Sequence, residues 1–366
     1  MSVRIIAACR SPVAPRGGAL AALSLQDLAA PVIAGLLEQA ELAPDQVDEV
    51  IVSNALGAGG NPARLVSLAA GLPQRVAGLS IDRQCAGGLD ALLLARQIVL
   101  SGAAEVVIAG GVESYSRRPL RLATFADGRA PQPYDQAPFT PWPDRDPGMA
   151  DAAAILAESQ RIARQAQDEW AIASHAKARN AVPGRGEIVS VAGLAQDAFT
   201  RRLGPALCQR AKVISGSITA ANMAVAADAA AFCVVVSAQT AARQRRTGVE
   251  LVSGATLGAV PECPGLAPLA AIEKALANAS LEICDIDTAE IMEAFAVQAI
   301  ACVEGAGLDP SRVNRGGGAL ARGHPIGASG AINAVRLYHE LRHCGGVGLA
   351  AIAAAGGLGT ALVLSA

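Results

Sequence analysis

The stretch PIGASGAINAVR (residues 325–336) has a counterpart earlier in the chain, CAGGLDALLLAR (residues 85–96). The two share the placement of their glycines and a helical spacing of apolar residues. Each begins as a loop, turns into a helix and is followed by an apolar run ending in two glycines, EVVIAGG (105–111) and LAAIAAAGG (349–357). We expect two similar α/β halves related by a pseudo-twofold axis, which would bring the two loops to one site. The alternative is a chance resemblance in a chain rich in alanine and glycine.

Short apolar runs alternate with longer amphipathic stretches along the chain. Buried strands are predicted at 49–54, 105–111 and 230–237. Helices are predicted, from apolar residues at helical spacing, at 23–40, 88–102 and 329–344. The alternation predicts an α/β architecture whose strands are mostly parallel and buried on both faces. A segment rich in proline and aspartate, residues 119–205, interrupts this pattern and is expected to form a substrate-facing insertion over the main body.

The composition suits a folded protein. Of 366 residues, 52% are hydrophobic and 17% charged, whereas aromatic residues supply only 3%, so alanine, valine, leucine and isoleucine must build the core. The net charge of −2 argues against a strongly basic surface, and no nucleic-acid partner is predicted. The arginine cluster Arg117, Arg118 and Arg121 is interpreted as a solvated face, with a phosphate contact as the less favoured alternative.

The C-terminal segment, residues 345–366, is apolar enough to raise the question of a membrane span. Gly356, Gly357 and Gly359 interrupt it, so two buried strands joined by a glycine turn are predicted and membrane association is not. The start of the chain lacks the features of a secretory signal. The eight cysteines include no CxxC pair, and neither they nor the histidines form a metal-binding motif, so we expect free thiols, no metal site and a reducing, cytoplasmic location.

Two residues with catalytic chemistry lie on the two repeated loops. Cys85 directly precedes a predicted helix, where the helix dipole and amide donors are expected to lower the pKa of its thiol. His324 lies just before the second repeated helix. A thiol beside an imidazole is the minimal apparatus for nucleophilic catalysis. Taken alone, a buried inert thiol is the commoner role for one cysteine among eight.

Several segments together resemble the thiolase family, enzymes that transfer acyl groups between coenzyme A thioesters through a covalent cysteine intermediate. The resemblance covers nearly the whole chain and is carried by RQCAGGLDAL around Cys85, AGGVES (109–114), GSITAANMAVAADAAA (216–231), MEAFAVQ (292–298) and VNRGGGALARGHPIGASGA (313–331). It implies a five-layer αβαβα fold made of two duplicated βαβαβαββ halves. The N-terminal half would span 1–118 plus 206–246, the loop domain 119–205 and the C-terminal half 247–366.

The resemblance also implies roles for individual residues. Cys85 matches the acyl-accepting nucleophile and His324 the histidine that activates it. The backbone N–H of Ala355, with that of Cys85, would stabilise the tetrahedral oxyanion. Ala220, Ala294 and Phe295 match residues that pack on the pantetheine arm of an acyl-CoA substrate. The resemblance implies no bound cofactor. It implies a homodimer or homotetramer.

Three positions depart from the family pattern. Ala353 stands where the family has the cysteine that acts as acid/base in the second half-reaction. Met292 replaces the asparagine that holds a catalytic water, and a thioether cannot donate a hydrogen bond. Loss of an acid/base typically costs about 10²- to 10⁴-fold in rate. Ala224 takes the place of a serine whose hydroxyl meets the pantetheine.

The sequence therefore predicts a thiolase-type acyl-CoA acyltransferase that forms an acyl-cysteine and is atypical or weak in the Claisen and thiolysis step. Two alternatives stay open. One is an acyl-enzyme hydrolase, and the other is a non-catalytic, coenzyme A-binding partner subunit. Glu293 or His343 could in principle supply the missing acid/base.

Overall fold

The structure, a computed structural model, describes residues 2–57 and 59–366. Its strands are β1 Val3–Arg10, β2 Ala14–Pro15, β3 Glu49–Ser53, β4 Ala77–Ile81, β5 Val106–Ser114, β6 Arg121–Ala123, β7 Gln132–Tyr134, β8 Val213–Ser215, β9 Ile218–Thr219, β10 Ala227–Ser237, β11 Val249–Gly258, β12 Thr288–Ile291, β13 Val347–Ala354 and β14 Leu358–Ser365. Its helices are α1 Leu25–Ala40, α2 Pro62–Ala69, α3 Gly87–Leu100, α4 Met149–Ser159, α5 Arg164–Asn180, α6 Pro205–Gln209, α7 Ala238–Arg243, α8 Ala267–Ala279, α9 Ala296–Ala306, α10 Ala319–Arg322 and α11 Ile326–Cys344. The predicted strands and helices are confirmed, with ends that differ by a few residues.

The main sheet orders its strands β12-β13-β14-β11-β1-β10-β5-β3-β4, with β2 paired to β10. The prediction of mostly parallel strands is wrong. Only the pairs β3–β4, β3–β5 and β12–β13 are parallel among those described, and the other pairs of this sheet are antiparallel. A continuous apolar run reports that both faces of a strand are buried but not the direction of its neighbours. The glycine turn predicted near the C-terminus is confirmed, and the β13–β14 hairpin that it makes is necessarily antiparallel.

The sheet is covered on both faces, and alternation along its strands shows how the layers stack. On β10, Ala229, Ala231, Cys233 and Val235 pack in one core with α3 and α11, while Ala230, Phe232, Val234 and Val236 pack in another with α1 and α2. On β13, Ala350 and Ile352 join the α3/α11 core, whereas Leu349 and Ala351 pack with α8 and α9. From one side of the molecule to the other, the layers are therefore the outer helices α1 and α2, one half of the sheet, the central helices α3 and α11, the other half of the sheet, and the outer helices α8 and α9. This is the five-layer αβαβα fold.

The glycines of the repeated stretches allow the two central helices to approach closely. A Cβ added at Gly330 would lie 2.6 Å from the backbone nitrogen of Leu89, and one added at Gly88 would overlap the backbone of Ala331. Only glycine permits that backbone contact. The contact joins the N-terminal regions of α3 and α11, so the loops that precede them are brought together.

The insertion, residues 119–205, contains β6, β7, α4 and α5. Helix α4 buries Ala153 and Leu156 against Val297 and Ile300 of α9. The division of the chain into two halves and a loop domain stays a prediction. In the described part of the chain, no helix is both long enough and apolar enough to cross a membrane.

Candidate active site

Cys85 lies in the short turn that connects β4 to α3. Gln84, directly before it, has φ 53°, a left-handed conformation that costs a residue with a side chain roughly 1–2 kcal/mol. The backbone N–H of Gln84 donates to Asp82 Oδ1 at 2.8 Å, which stabilises this reversal. The turn leaves Cys85 half-buried beside the first turn of α3, on the wall of a cavity of about 630 Å³.

His324 lies on the same cavity, between α10 and α11. Its backbone N–H donates to the carbonyl oxygen of Val225 at 2.8 Å, which fixes the loop to the segment preceding β10. Its Nε2 lies 3.2 Å from the Sγ of Cys85, although 239 residues separate the two along the chain. The structure therefore brings together the two loops that carry the predicted catalytic pair.

The other ring nitrogen of His324 determines its tautomer. Nδ1 lies 2.6 Å from the Oγ of Ser329, and that hydroxyl lies 2.9 Å from the carbonyl oxygen of Pro325. A carbonyl can only accept, so we assign the Ser329 hydroxyl as the donor to Pro325 and as the acceptor from the Nδ1–H of His324. Nε2 then carries no proton and faces the thiol as an acceptor. Sequence reasoning did not select Ser329, although it lies in the quoted HPIGASG segment.

Burial holds both members of the pair neutral. Desolvation raises the pKa of the Cys85 thiol to about 12, and the carboxylates of Glu113 and Asp82 act in the same direction. The backbone N–H groups of Cys85 and Ala355 act against this by favouring the thiolate. Desolvation lowers the pKa of His324 to about 4. The expected lowering of the thiol pKa is therefore wrong, because desolvation of the thiolate outweighs the amide donors.

The same amide donors mark a place for developing negative charge. Ala355 lies in the turn between β13 and β14, and Gly356 and Gly357 continue that turn with φ 75° and 74°. Both φ values belong to the region that favours glycine. Ala355 lines the cavity with Cys85, and the backbone N–H groups of both residues favour the thiolate. Two main-chain donors of this kind suit an oxyanion hole, and that role of Ala355 stays a prediction.

The residues predicted to pack on a pantetheine arm divide into two groups. Ala224, Ala294 and Phe295 line the cavity, and the N–H of Ala224 donates to the carbonyl oxygen of Ala294 at 2.9 Å. Ala220 is exposed and is not among the residues that line the cavity. Met223, which the prediction omitted, lines it as well. An apolar wall thus extends from the catalytic pair.

Ala353 and Met292, two of the three positions that depart from the family pattern, lie in different environments. Ala353 is half-buried and lines the cavity with Cys85 and His324. Met292 is 1% exposed and packs in the central core, outside the set of cavity-lining residues. A side chain at 353 would therefore enter the site directly, whereas one at 292 would first have to be accommodated in the core.

Neither residue considered as a substitute acid/base reaches the cavity lining. Glu293 is buried and its carboxylate accepts from Trp170 Nε1 at 3.0 Å, Asn314 Nδ2 at 2.8 Å and Ser174 Oγ at 2.7 Å. Such a carboxylate joins the insertion to the C-terminal half. His343 is exposed near the end of α11.

Glu113 is a buried carboxylate that the sequence reasoning quoted within AGGVES but did not select. It accepts from Asn54 Nδ2 at 2.8 Å, from the N–H of Ala55 at 3.1 Å and from the N–H of Gly327 at 3.0 Å. Desolvation raises its pKa to about 7. Because Gly327 lies in the first turn of α11, Glu113 positions the helix that follows His324. Its only sequence signal was its place at the end of a strand.

Comparison with known proteins agrees with this fold. Residues 3–239 match the thiolase N-terminal domain and residues 245–366 the thiolase C-terminal domain. The chain belongs to the thiolase family. Similar proteins include YhfS of Bacillus subtilis, 39% identical over 99% of both chains, and the acetyl-CoA acetyltransferase of Cupriavidus necator, 37% identical over 99% of this chain and 98% of that relative. A thiolase of Ascaris suum solved in complex with coenzyme A is 30% identical, covers 100% of both chains and superposes with a TM-score of 0.92.

Proposed function

We propose that this chain is an acyl-CoA acyltransferase of the thiolase type that works through an acyl-Cys85 intermediate. The observation that carries the proposal is the 3.2 Å contact between Cys85 Sγ and His324 Nε2 on the wall of a cavity of about 630 Å³. Membership of the thiolase family and the relative named as an acetyl-CoA acetyltransferase support a coenzyme A thioester as the substrate.

In the first half-reaction, His324 Nε2 takes the proton of Cys85 as the sulfur attacks the thioester carbonyl carbon. The carbonyl oxygen becomes an oxyanion that accepts from the N–H groups of Cys85 and Ala355. The bond between that carbon and the coenzyme A sulfur then breaks, and the leaving thiolate takes the proton from His324. The products are acyl-Cys85 and free coenzyme A. Since both partners start neutral, the proton moves only as the carbon–sulfur bond forms.

The second half-reaction depends on the acyl acceptor. A thiol acceptor can reverse the first step and use His324 again, so exchange of acyl groups between thiols needs no further acid/base. A carbon acceptor needs a base to form its enolate, and Ala353 has no proton to exchange. We therefore infer that acylation and thiol exchange are retained and that the step forming or cleaving a carbon–carbon bond is weak.

The test is intact-mass spectrometry of the purified chain after incubation with acetyl-CoA and longer acyl-CoAs. We expect one acyl adduct on the wild type, located on the peptide that contains Cys85, and none on Cys85→Ser. Cys284→Ser removes an exposed free thiol elsewhere and serves as the matched control, which should keep the adduct. An adduct that persists in Cys85→Ser would refute the proposed nucleophile.

Two further measurements separate the alternatives. Rapid loss of the adduct to free carboxylic acid, without an added thiol, would favour an acyl-enzyme hydrolase. No adduct with any acyl-CoA, together with measurable binding of coenzyme A, would favour a non-catalytic partner subunit. Exchange of the acyl group onto added thiols, with slow cleavage of acetoacetyl-CoA by coenzyme A, is the expected result.

A further inference from the structure

A second, smaller cavity of about 280 Å³ adjoins the one that holds the catalytic pair. The two share lining residues, among them Arg118, Arg121, Tyr134 and Asp135. Arg16 lines the smaller cavity only. Ala224, Ala294 and Phe295, the apolar wall of the active site, do not line it. The smaller cavity therefore extends the site away from the predicted pantetheine wall.

The smaller cavity is strongly cationic. Three guanidinium groups, those of Arg16, Arg118 and Arg121, line it together with a single carboxylate, Asp135. The prediction of a solvated face is correct for Arg117, which is exposed, and wrong for Arg118 and Arg121, which are half-buried.

Each guanidinium retains donors for a ligand. Arg118 Nη2 pairs with Asp135 Oδ1 at 3.0 Å, but that aspartate side chain is 87% exposed and so is well solvated. Arg121 Nη2 donates to the carbonyl oxygen of Ala55 at 3.1 Å. Within the described residues, neither Arg16 nor Arg121 forms an ion pair with a carboxylate. Because a guanidinium has five N–H donors, these contacts leave several unused.

An aromatic ring organises two of these cations. The guanidinium carbon of Arg118 lies 4.8 Å from the centroid of the Tyr115 ring, and that of Arg16 lies 5.4 Å from it. Tyr115 also lines the larger cavity beside Cys85. Stacking on the ring restricts both arginines, so less entropy is lost when they bind an anion.

We propose that this arginine pocket, formed by Arg16, Arg118 and Arg121, binds a carboxylate at the far end of the acyl group. The preferred substrates are then coenzyme A monothioesters of dicarboxylic acids. The inference rests on the proposed function, which places the thioester carbonyl at Cys85, and on the predicted packing of the pantetheine arm against Ala294 and Phe295. A group that reaches the arginine pocket under that arrangement belongs to the acyl chain. A guanidinium fork matches a carboxylate with two parallel hydrogen bonds.

Phosphates of coenzyme A share this anionic chemistry, and the experiment distinguishes the two sources. Rates of Cys85 acylation are measured with glutaryl-CoA and valeryl-CoA, which have equal chain length and differ in the terminal carboxylate. The variants are Arg118→Gln and Arg121→Gln. Arg117→Gln is the control, because it removes the same charge from an exposed neighbour outside both cavities.

We expect the wild type to prefer glutaryl-CoA over valeryl-CoA by about tenfold or more, as one charge-assisted pair provides. This ratio should fall toward one in Arg118→Gln and in Arg121→Gln and stay at the wild-type value in Arg117→Gln. A wild-type ratio at or below one overturns the proposal. The proposal is also overturned if the variants lose the same factor in acylation rate with both coenzyme A thioesters but lose none with pantetheine thioesters of the same acyl groups. That result would show that the arginines bind a coenzyme A phosphate.

Binding of the same two thioesters to Cys85→Ser gives a readout that does not require acylation. If no thioester acylates the wild type, the proposed function fails, and the ratio of the two dissociation constants still tests the arginine pocket. Acylation by both thioesters without the preference refutes the pocket and leaves the proposed function standing.

Discussion

Replacing Ser329 with alanine should slow the acylation of Cys85 without unfolding the protein. The Ser329 hydroxyl is the partner of His324 Nδ1 at 2.6 Å and is anchored by its own bond to Pro325 at 2.9 Å. Without it, the buried Nδ1–H has no acceptor, and the ring can take the tautomer whose Nε2 carries the proton and cannot accept one from the thiol. A buried polar group left without its partner costs about 1–3 kcal/mol. Applied to the acylation barrier, this is roughly 5- to 150-fold in rate.

The assay follows the growth of acyl-Cys85 by rapid quenching and intact-mass spectrometry at saturating acetyl-CoA. Ser67→Ala is the matched control, because Ser67 is also a buried helical serine that lies outside the cavity lining, and its hydroxyl has no hydrogen-bond partner among the described residues. Circular dichroism and a denaturant titration of both variants establish that the fold is kept. A rate for Ser329→Ala equal to that of Ser67→Ala would refute the assignment of the tautomer.

Four further predictions follow from the environments of individual residues. Burial lowers the pKa of His324 to about 4 and raises the pKa of the Cys85 thiol. The acylation rate, measured by quenched flow, should therefore be constant from about pH 5.5 to 8 and fall only as His324 is protonated near pH 4. An inflection near pH 6.5, the pKa of a solvated histidine, would contradict this prediction. Ala353→Cys should raise the rate of acetoacetyl-CoA cleavage, assayed by loss of the enolate absorbance; an unchanged rate would argue against the placement of the family's acid/base cysteine at position 353. Met292→Asn should lower the unfolding free energy by about 2–5 kcal/mol because it removes a core side chain. Glu187→Gln should lower the unfolding free energy by about 1–3 kcal/mol in urea titrations, because the buried Arg10 and Arg336 lose a shared carboxylate while Arg10 keeps Asp197 and Arg336 keeps Glu340. An unchanged unfolding free energy would show that Glu187 contributes no net stabilisation.

Much of the fold could be predicted from local patterns. The glycine and apolar spacing of the two repeated stretches located α3 and α11, and the glycines near the C-terminus located the β13–β14 turn. Strand direction could not be predicted in this way. The segment at 230–237 is apolar on both faces because helices cover both sides of the sheet, and such a run is the same whether its neighbours are parallel or antiparallel.

The same distinction between local pattern and tertiary packing applies to the candidate site. Cys85 and His324 could be selected because each stands in a glycine-rich loop at a helix start, and glycine content and helix periodicity are properties of adjacent residues. That their sulfur and nitrogen meet at 3.2 Å depends on how two halves of the chain pack.

By itself, then, the sequence determined the elements and the family, and it selected the pair of residues predicted to carry nucleophilic chemistry. Only the tertiary structure decided the neutral state of that pair, the tautomer set by Ser329, the burial of Met292 and the arginines beside the site. The physical reason is that pKa values and the geometry of a site depend on segments that are distant in sequence, because these segments exclude solvent and bring charged groups close to one another. Neither quantity is encoded in the spacing of neighbouring residues.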